Sequence, residues 1–389
     1  MNNQTNKMPL QIQILTNLDC NLRCTYCYEN KDRGANDYTA MTDFIYARYE
    51  ENFSDLLTYG DEINRDVVID FIGGETLMYP EMLDELCLYA HWLHYSRFHS
   101  KGNLTFNIST NGTLIVRQDV RDFLLKWKNH ISLGFSIDGT KEIHDDCRID
   151  THGKGSYDRA VAGYEWAKKN LCSHRIGVKA TYCHKTIDRY AEGVINLIKL
   201  GFTNIAANVI FEETWTKEEA PSIASQLNAV TNYLFDNGLE EKVHLFQINH
   251  DDLDMRHYKA ESGCKDRNHC GTCTHMLCLG FDNKLYGCNR FCTMKKPIPI
   301  GELTDSTIKI TNQQFIEEVS EQYKLWPQEC KECPYATQCA SCSAIPYETE
   351  NVQEYINKKS QCGFTHAVVA ARLYFKYRLL AKENNQNDN

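Results

Sequence analysis

A chain of 389 residues with 42% apolar and 24% charged side chains has the composition of a folded globular protein, and its length predicts one large domain plus a smaller one. A net charge of -10 argues against a nucleic-acid backbone as partner, and no apolar run is long enough to span a bilayer. The first residues, MNNQTNKMPL, hold no apolar signal segment, so a cytoplasmic setting is expected, in which eighteen cysteines bind metal rather than form disulfides.

In chain order, strand-like runs fall at PLQIQILT (9–16), VVIDFI (67–72), LTFNIST (104–110), ISLGFSID (131–138), RIGVKATY (175–182) and NIAANVI (204–210), with helical-period segments such as MLDELCLYAHWLHY and YDRAVAGYEWAKKN between them. Six β-then-α units predict an α/β fold with parallel strands and right-handed crossovers, either an open doubly wound sheet or a partial barrel. Both place chemistry at the carboxyl ends of the strands. Polar or Gly-rich motifs stand at four such ends in succession: a cysteine cluster, GGET, TNGT and SIDG. From about 212 to 260 the chain turns acidic and helical, which predicts the last barrel helix and a bridge. From Cys264 cysteines are dense, until one long helix at HAVVAARLYFKYRLLAK; a disordered tail is expected at ENNQNDN.

Cys20, Cys24 and Cys27 form C-x3-C-x2-C after the first strand. Three thiolates on a tight loop hold three irons of a cubane cluster and leave the fourth iron open to a small molecule. The competing reading is three ligands of a four-cysteine zinc site, for which this spacing is a poor match. Fourteen histidines show no HExxH pairing, which leaves a histidine-ligated zinc enzyme unsupported.

The cluster, with Tyr26 as the aromatic before its last cysteine, resembles the signature of the radical S-adenosylmethionine (SAM) enzymes. That resemblance implies a partial (β/α)6 TIM-like barrel and a 4Fe–4S cluster on Cys20, Cys24 and Cys27. It implies SAM chelated to the open iron and cleaved by one electron from an external flavodoxin- or ferredoxin-like donor, the radical then abstracting hydrogen from substrate. FIGGETL is similar to the family's GGE segment, which implies that Gly74 and Glu75 hold the methionyl amine, with Gly73 and Gly74 allowing close backbone approach. By the same resemblance Ser136 and Arg148 grip the carboxylate and ribose, Thr110 and Asn111 lie near the ribose, and the adenine lies against backbone near Tyr26, Val209 and Ile210.

The C-terminal cysteines resemble the SPASM extension of such enzymes, which implies a small iron–sulfur domain and three 4Fe–4S clusters in all. Residues 1–235 then form the barrel, 236–262 a bridge and 263–389 the SPASM domain. Carried over by position, Cys330, Cys333, Cys339 and Cys362 ligate one auxiliary cluster and Cys270, Cys288 and Cys342 the other. Cys264, Cys273 or an open iron completes the latter. Asn283 replaces the expected turn glycine and tolerates a left-handed backbone. Cys87, Cys147, Cys172 and Cys183 fall outside the pattern and default to small buried hydrophobes.

In sulfatase-oxidising members of this architecture an aspartate base follows the second SPASM cysteine, whereas this chain has Asn289, and an amide accepts no proton. The C-terminal cysteine runs look more like those of maturases of ribosomally made peptides (RiPPs). The main expectation is therefore a RiPP maturase that installs an oxidative intramolecular crosslink, a cysteine thioether, in a precursor peptide with a leader. With strand one starting near residue 9, no embedded leader-binding domain is expected. The alternatives are an anaerobic sulfatase-maturating, formylglycine-forming enzyme, a carbon–carbon crosslinking cyclase, and a non-enzymatic metal-stapled binding protein.

Overall fold

The computed structural model describes residues 9–31, 56–57, 65–249, 270–280, 282–304, 307–339 and 341–387. Seven parallel strands follow one another in order: β1 (Leu10–Asn17), β2 (Val67–Gly73), β3 (Leu104–Thr110), β4 (Ile131–Ser136), β5 (Ile176–Tyr182), β6 (Asn204–Val209) and β7 (His244–Leu245). Between them run α1 (Pro80–His91), α2 (Gln118–Lys126), α3 (Lys141–Cys147), α4 (Tyr157–Asn170), α5 (Tyr190–Leu200) and α6 (Ala220–Asp236). The six long strands match the six apolar runs within two residues at either end.

Side chains alternate across each strand, and the two faces differ in chemistry. Ile12, Ile14, Ile69, Phe71, Phe106, Ile108, Leu133, Phe135, Val178 and Ile205 are buried under the helices and form the core. The intervening positions, among them Gln13, Asp70, Ser109, Ser136, Lys179, Thr181 and Asn208, line an open cleft on the other face. On α5, Val194, Leu197 and Ile198 make the buried stripe, and Gly201 ends the helix at a φ of 102°, a left-handed turn that glycine adopts without steric cost.

The cysteine-rich module is joined to the barrel through the sheet itself. Its first strand, β8 (Met276–Leu279), pairs in parallel with β1, and β9 (Lys284–Tyr286), β10 (Gly301–Thr304) and β11 (Thr307–Ile310) continue antiparallel to make one eleven-stranded sheet. Asn283 turns the β8–β9 hairpin at a φ of 61°, the left-handed conformation expected of it. The expected bridge is described as far as Asn249, its remainder lying outside the described residues, and β7 falls within it, adding to the sheet beside β6.

The C-terminal helix, Cys362–Asn387, runs back along α6. Arg372 donates to the carbonyls of Phe246 and Gln247, and Tyr374 to Asn232. A Cβ on Gly363 would stand 1.9 Å from the Thr216 carbonyl, so only glycine lets the start of this helix meet that loop. The polar tail expected to be disordered instead prolongs the helix through Asn387. Among the described residues no helix is long and apolar enough to cross a membrane.

Candidate active site

The cleft, about 430 Å³, opens at the carboxyl ends of the strands and is lined by Cys20, Cys24 and Cys27 together with Gly74, Glu75, Thr110, Asn111, Ser136 and Arg148. Residues from four separate strand ends therefore meet at one place, and Tyr26, Val209 and Ile210 line it too.

Its floor is two loops pressed together. Gly74 N–H donates to the Asn17 carbonyl at 3.0 Å and Glu75 N–H to that of Asp19 at 2.7 Å. A Cβ on Gly73 would lie 2.0 Å from the Asn17 oxygen and one on Gly74 2.1 Å from that of Asp19. The paired glycines thus bring the GGE turn against the backbone just ahead of Cys20. The Glu75 carboxylate, 1% exposed, accepts from the Thr110 hydroxyl (2.7 Å) and from the N–H groups of Asn111 (2.7 Å) and Leu77 (3.1 Å). Burial raises its pKa and these donors oppose the rise. Asn111 Nδ2 donates to Asn21 Oδ1 at 2.9 Å, and Asn21 donates to Thr113 at 2.8 Å, tying the cysteine loop to the end of β3.

One wall is organised by Asp138, 1% exposed. Arg148 grips it with Nε to Oδ2 at 2.8 Å and Nη2 to Oδ1 at 3.1 Å, Tyr26 donates its hydroxyl at 2.5 Å, and Thr181 its N–H at 2.9 Å. The guanidinium lies 5.3 Å from the Tyr26 ring centre. Burial works against the Arg148 charge, but the Asp138 carboxylate overcomes it and holds the pKa well above its ordinary value. Behind this pair, fully buried His144 takes the Asp138 N–H on Nδ1 (3.3 Å) and meets Ser156 Oγ through Nε2 (2.9 Å).

The opposite wall comes from the cysteine-rich module. Asn289 N–H donates to Gln13 Oε1 at 2.8 Å and its side-chain amide to the Tyr28 hydroxyl at 2.8 Å. Arg290 pairs with Glu212 (2.6 Å) and Glu348 (2.7 Å) while stacking 4.8 Å over Tyr28. These contacts fasten the module to the mouth of the barrel.

Cys330, Cys333, Cys339, Cys342 and Cys362 line a second, smaller cavity, with Thr365 Oγ1 3.8 Å from the Cys339 sulfur. Burial chiefly raises the thiol pKa values of Cys270 and Cys288, and Cys342 lies near enough to add to both. Buried Cys273 is pushed up to about 12, chiefly by desolvation, with Cys288 and Cys270 also contributing; it sits at a φ of 60°. Cys264 lies outside the described residues. Among the described cysteines there is no disulfide. Cys87 and Cys147 are buried as expected, whereas Cys183 is half-buried and Cys172 is exposed. Sequence reasoning missed Asp138, Gln13, Asp70, Lys179 and Arg290; the alternation of polar side chains along the strands was the available signal for Gln13, Asp70 and Lys179.

The donor set fits an iron–sulfur cluster. Three thiols of one loop face the cleft, and the Leu22 N–H is 3.4 Å from the Cys20 sulfur, a contact that favours thiolate. Among the described residues no three His, Cys, Asp or Glu side chains close on a single ion.

Residues 14–183 match the profile of the Radical SAM superfamily. The serine-type anaerobic sulfatase-maturating enzyme of Bacteroides thetaiotaomicron is 24% identical over 350 residues, covering 82% of this chain and 78% of that one. The cysteine-type enzyme of Clostridium perfringens is 26% identical over 343 residues, covering 82% and 84%. The solved structure of native anSMEcpe with bound AdoMet superposes at a TM-score of 0.63 and 19% identity, over 93% of this chain and 99% of that one. With AdoMet and the Cp18Cys peptide the corresponding values are 0.60, 18%, 94% and 100%. These findings overturn the expected thioether-forming RiPP maturase, because the sulfatase-maturating enzymes of Bacteroides thetaiotaomicron and Clostridium perfringens match over most of their length. Asn289 and the look of the C-terminal cysteine runs had weighed toward that expectation, and they do not outweigh likeness along 82% of the chain. Residues 14–183 are thus similar to the Radical SAM superfamily, and the cysteine-rich module is joined to that region through a shared sheet.

Proposed function

We propose that this protein is a radical SAM oxidoreductase of the anaerobic sulfatase-maturating type, converting a serine or cysteine side chain of a protein segment to an aldehyde. The observation that carries the reading is the single cleft shared by Cys20, Cys24, Cys27, Glu75 and Arg148 on the barrel side and Asn289 and Arg290 on the module side. It is supported by likeness to enzymes of that description over most of the chain.

In this reading Cys20, Cys24 and Cys27 hold a 4Fe–4S cluster, and Tyr26, Gly74, Glu75, Thr110, Asn111, Ser136 and Arg148 hold SAM. Together the cluster and SAM, reduced by an external donor, supply a carbon radical that takes one hydrogen atom from the target carbon. The chain's own residues bind and orient. Glu75, held by three donors, would face the ammonium group of SAM, and Arg148, pinned by Asp138, presents fixed positive charge. Cys330, Cys333, Cys339 and Cys362, and Cys270, Cys288 and Cys342, would hold two further clusters that accept the second electron.

The test is anaerobic reconstitution with iron and sulfide, followed by turnover with SAM, a reductant and a sulfatase-derived peptide bearing serine or cysteine. An aldehyde trapped by a hydrazide supports the reading; a peptide returned unmodified despite SAM cleavage refutes it.

A further inference from the structure

Oxidation of a side-chain alcohol to an aldehyde releases a proton as well as a hydrogen atom and an electron, so the cleft needs a proton acceptor. Its lining contains four carboxylates: Glu29, Asp70, Glu75 and Glu212. Glu75 is held by three donors and Glu212 by Arg290. Glu29 lies in the turn Tyr28–Lys31 at the mouth. Asn289 is neutral and its amide is turned to Tyr28. Asp70 is different in kind: it projects from the middle of β2 into the cleft and is 7% exposed.

We propose that Asp70 is the catalytic base of this reaction. The inference rests on the function proposed above. Asn107 Nδ2 donates to Oδ1 at 2.8 Å, and Gln11 and Gln13 donate to Oδ2 at 3.2 and 3.4 Å. A carboxylate has about four acceptor positions, so these three amides orient the group and leave one for a substrate proton. Strand register enforces the arrangement, since Gln13 and Asn107 are the direct cross-strand partners of Asp70 on β1 and β3. Gln13 also takes the Asn289 N–H on its Oε1, so the base is coupled to the module wall.

The target carbon has lost one hydrogen atom; its hydroxyl proton passes to Asp70, one electron passes to an iron–sulfur cluster acting as one-electron acceptor, and the C–O single bond becomes C=O. With a cysteine target the same loss gives a thioaldehyde, which water converts to the aldehyde with release of hydrogen sulfide. The groups facing Asp70 are Gln11 and Gln13 from β1, Asn107 from β3, Lys179 from β5, which is exposed to the cleft, and the Cys278 thiol from β8. Burial raises the Asp70 pKa, while Asn107, Gln13, Gln11 and Lys179 hold it back, which gives the carboxylate more basicity than one in water.

The experiment uses the reconstituted full chain with a serine peptide and measures aldehyde, 5′-deoxyadenosine and iron for the wild type and for Asp70→Asn, Asp70→Glu, Lys179→Gln and Glu29→Gln. The expected result for Asp70→Asn is aldehyde formation slowed about 100-fold or more, with iron retained and 5′-deoxyadenosine still formed, so that the two products uncouple. Asp70→Glu restores part of the rate and displaces the acidic limb of the pH profile. An Asp70→Asn enzyme that keeps the wild-type aldehyde rate overturns the assignment. So does uncoupling by Lys179→Gln or Glu29→Gln instead, or a parallel loss of iron and both products. If the wild type itself forms no aldehyde, the proposed function fails and the role of Asp70 fails with it.

Discussion

The guanidinium of Arg148 and the carboxylate of Asp138 face each other through two parallel hydrogen bonds in the wall of the cleft, with side chains 10% and 1% exposed. Removing one partner of a buried pair strands the other charge, at a cost of roughly 3–5 kcal/mol. Asp138→Ala is therefore expected to lower the melting temperature by many degrees, measured by anaerobic thermal denaturation. Arg148→Ala is expected to weaken SAM binding by roughly 1.5–3 kcal/mol in equilibrium dialysis, iron being retained. Unchanged SAM affinity would make the pair purely structural.

The cysteine sets are separable. Replacing Cys20, Cys24 and Cys27 together by alanine is expected to leave about two-thirds of the iron of a three-cluster protein and to abolish 5′-deoxyadenosine formation. Iron assay and chromatography of the nucleoside products check this; SAM cleavage by the triple variant would contradict the assignment.

Gly74→Ala tests the seam between the two loops. The new methyl would meet the Asp19 carbonyl at 2.1 Å, a backbone atom that moves only with the loop carrying Cys20. The expected outcome is reduced occupancy of the SAM-binding cluster, with the auxiliary iron unaffected. Low-temperature electron paramagnetic resonance with and without SAM distinguishes the two populations.

His144 predicts acid sensitivity. Burial depresses its pKa from 6.5 to about 4, with Asp138 and Arg148 acting in opposite directions. The unfolded chain binds the proton first, so stability present above pH 6.5 is lost as the pH falls toward 4, by an amount on the order of 3 kcal/mol, and changes no further below. Denaturant titrations of wild type and His144→Asn at pH 7 and pH 5 check this: the variant should show a shallower pH slope, and equal slopes would contradict it.

Much of this molecule was legible before its structure. The six barrel strands follow from apolar alternation, and the site from polar motifs at successive strand ends. What was not legible depends on contacts distant in sequence. Nothing in SIDG distinguishes Ser136 from Asp138; the latter's importance appears only when Arg148, Tyr26 and Thr181 converge on it. The glycines of GGE were read as making room for a ligand, yet what their missing Cβ atoms admit is the backbone of the cysteine loop. Cys264 onward read as a separate module because its texture changes there, but β8 pairs with β1 across more than 260 positions of sequence, a partnership no local pattern encodes. Substrate class was misjudged for a related reason, since Asn289 and the C-terminal cysteine runs were weighed without Asp70, one hydrogen-bonded glutamine away from Asn289.

The most direct measurement is tandem mass spectrometry of a sulfatase-derived serine peptide after anaerobic turnover by the reconstituted chain. The account predicts a product lighter by two hydrogens, with the change localised to the serine and the new group captured by a hydrazide. Stoichiometric formation of 5′-deoxyadenosine without that aldehyde, for both serine and cysteine peptides, would contradict it.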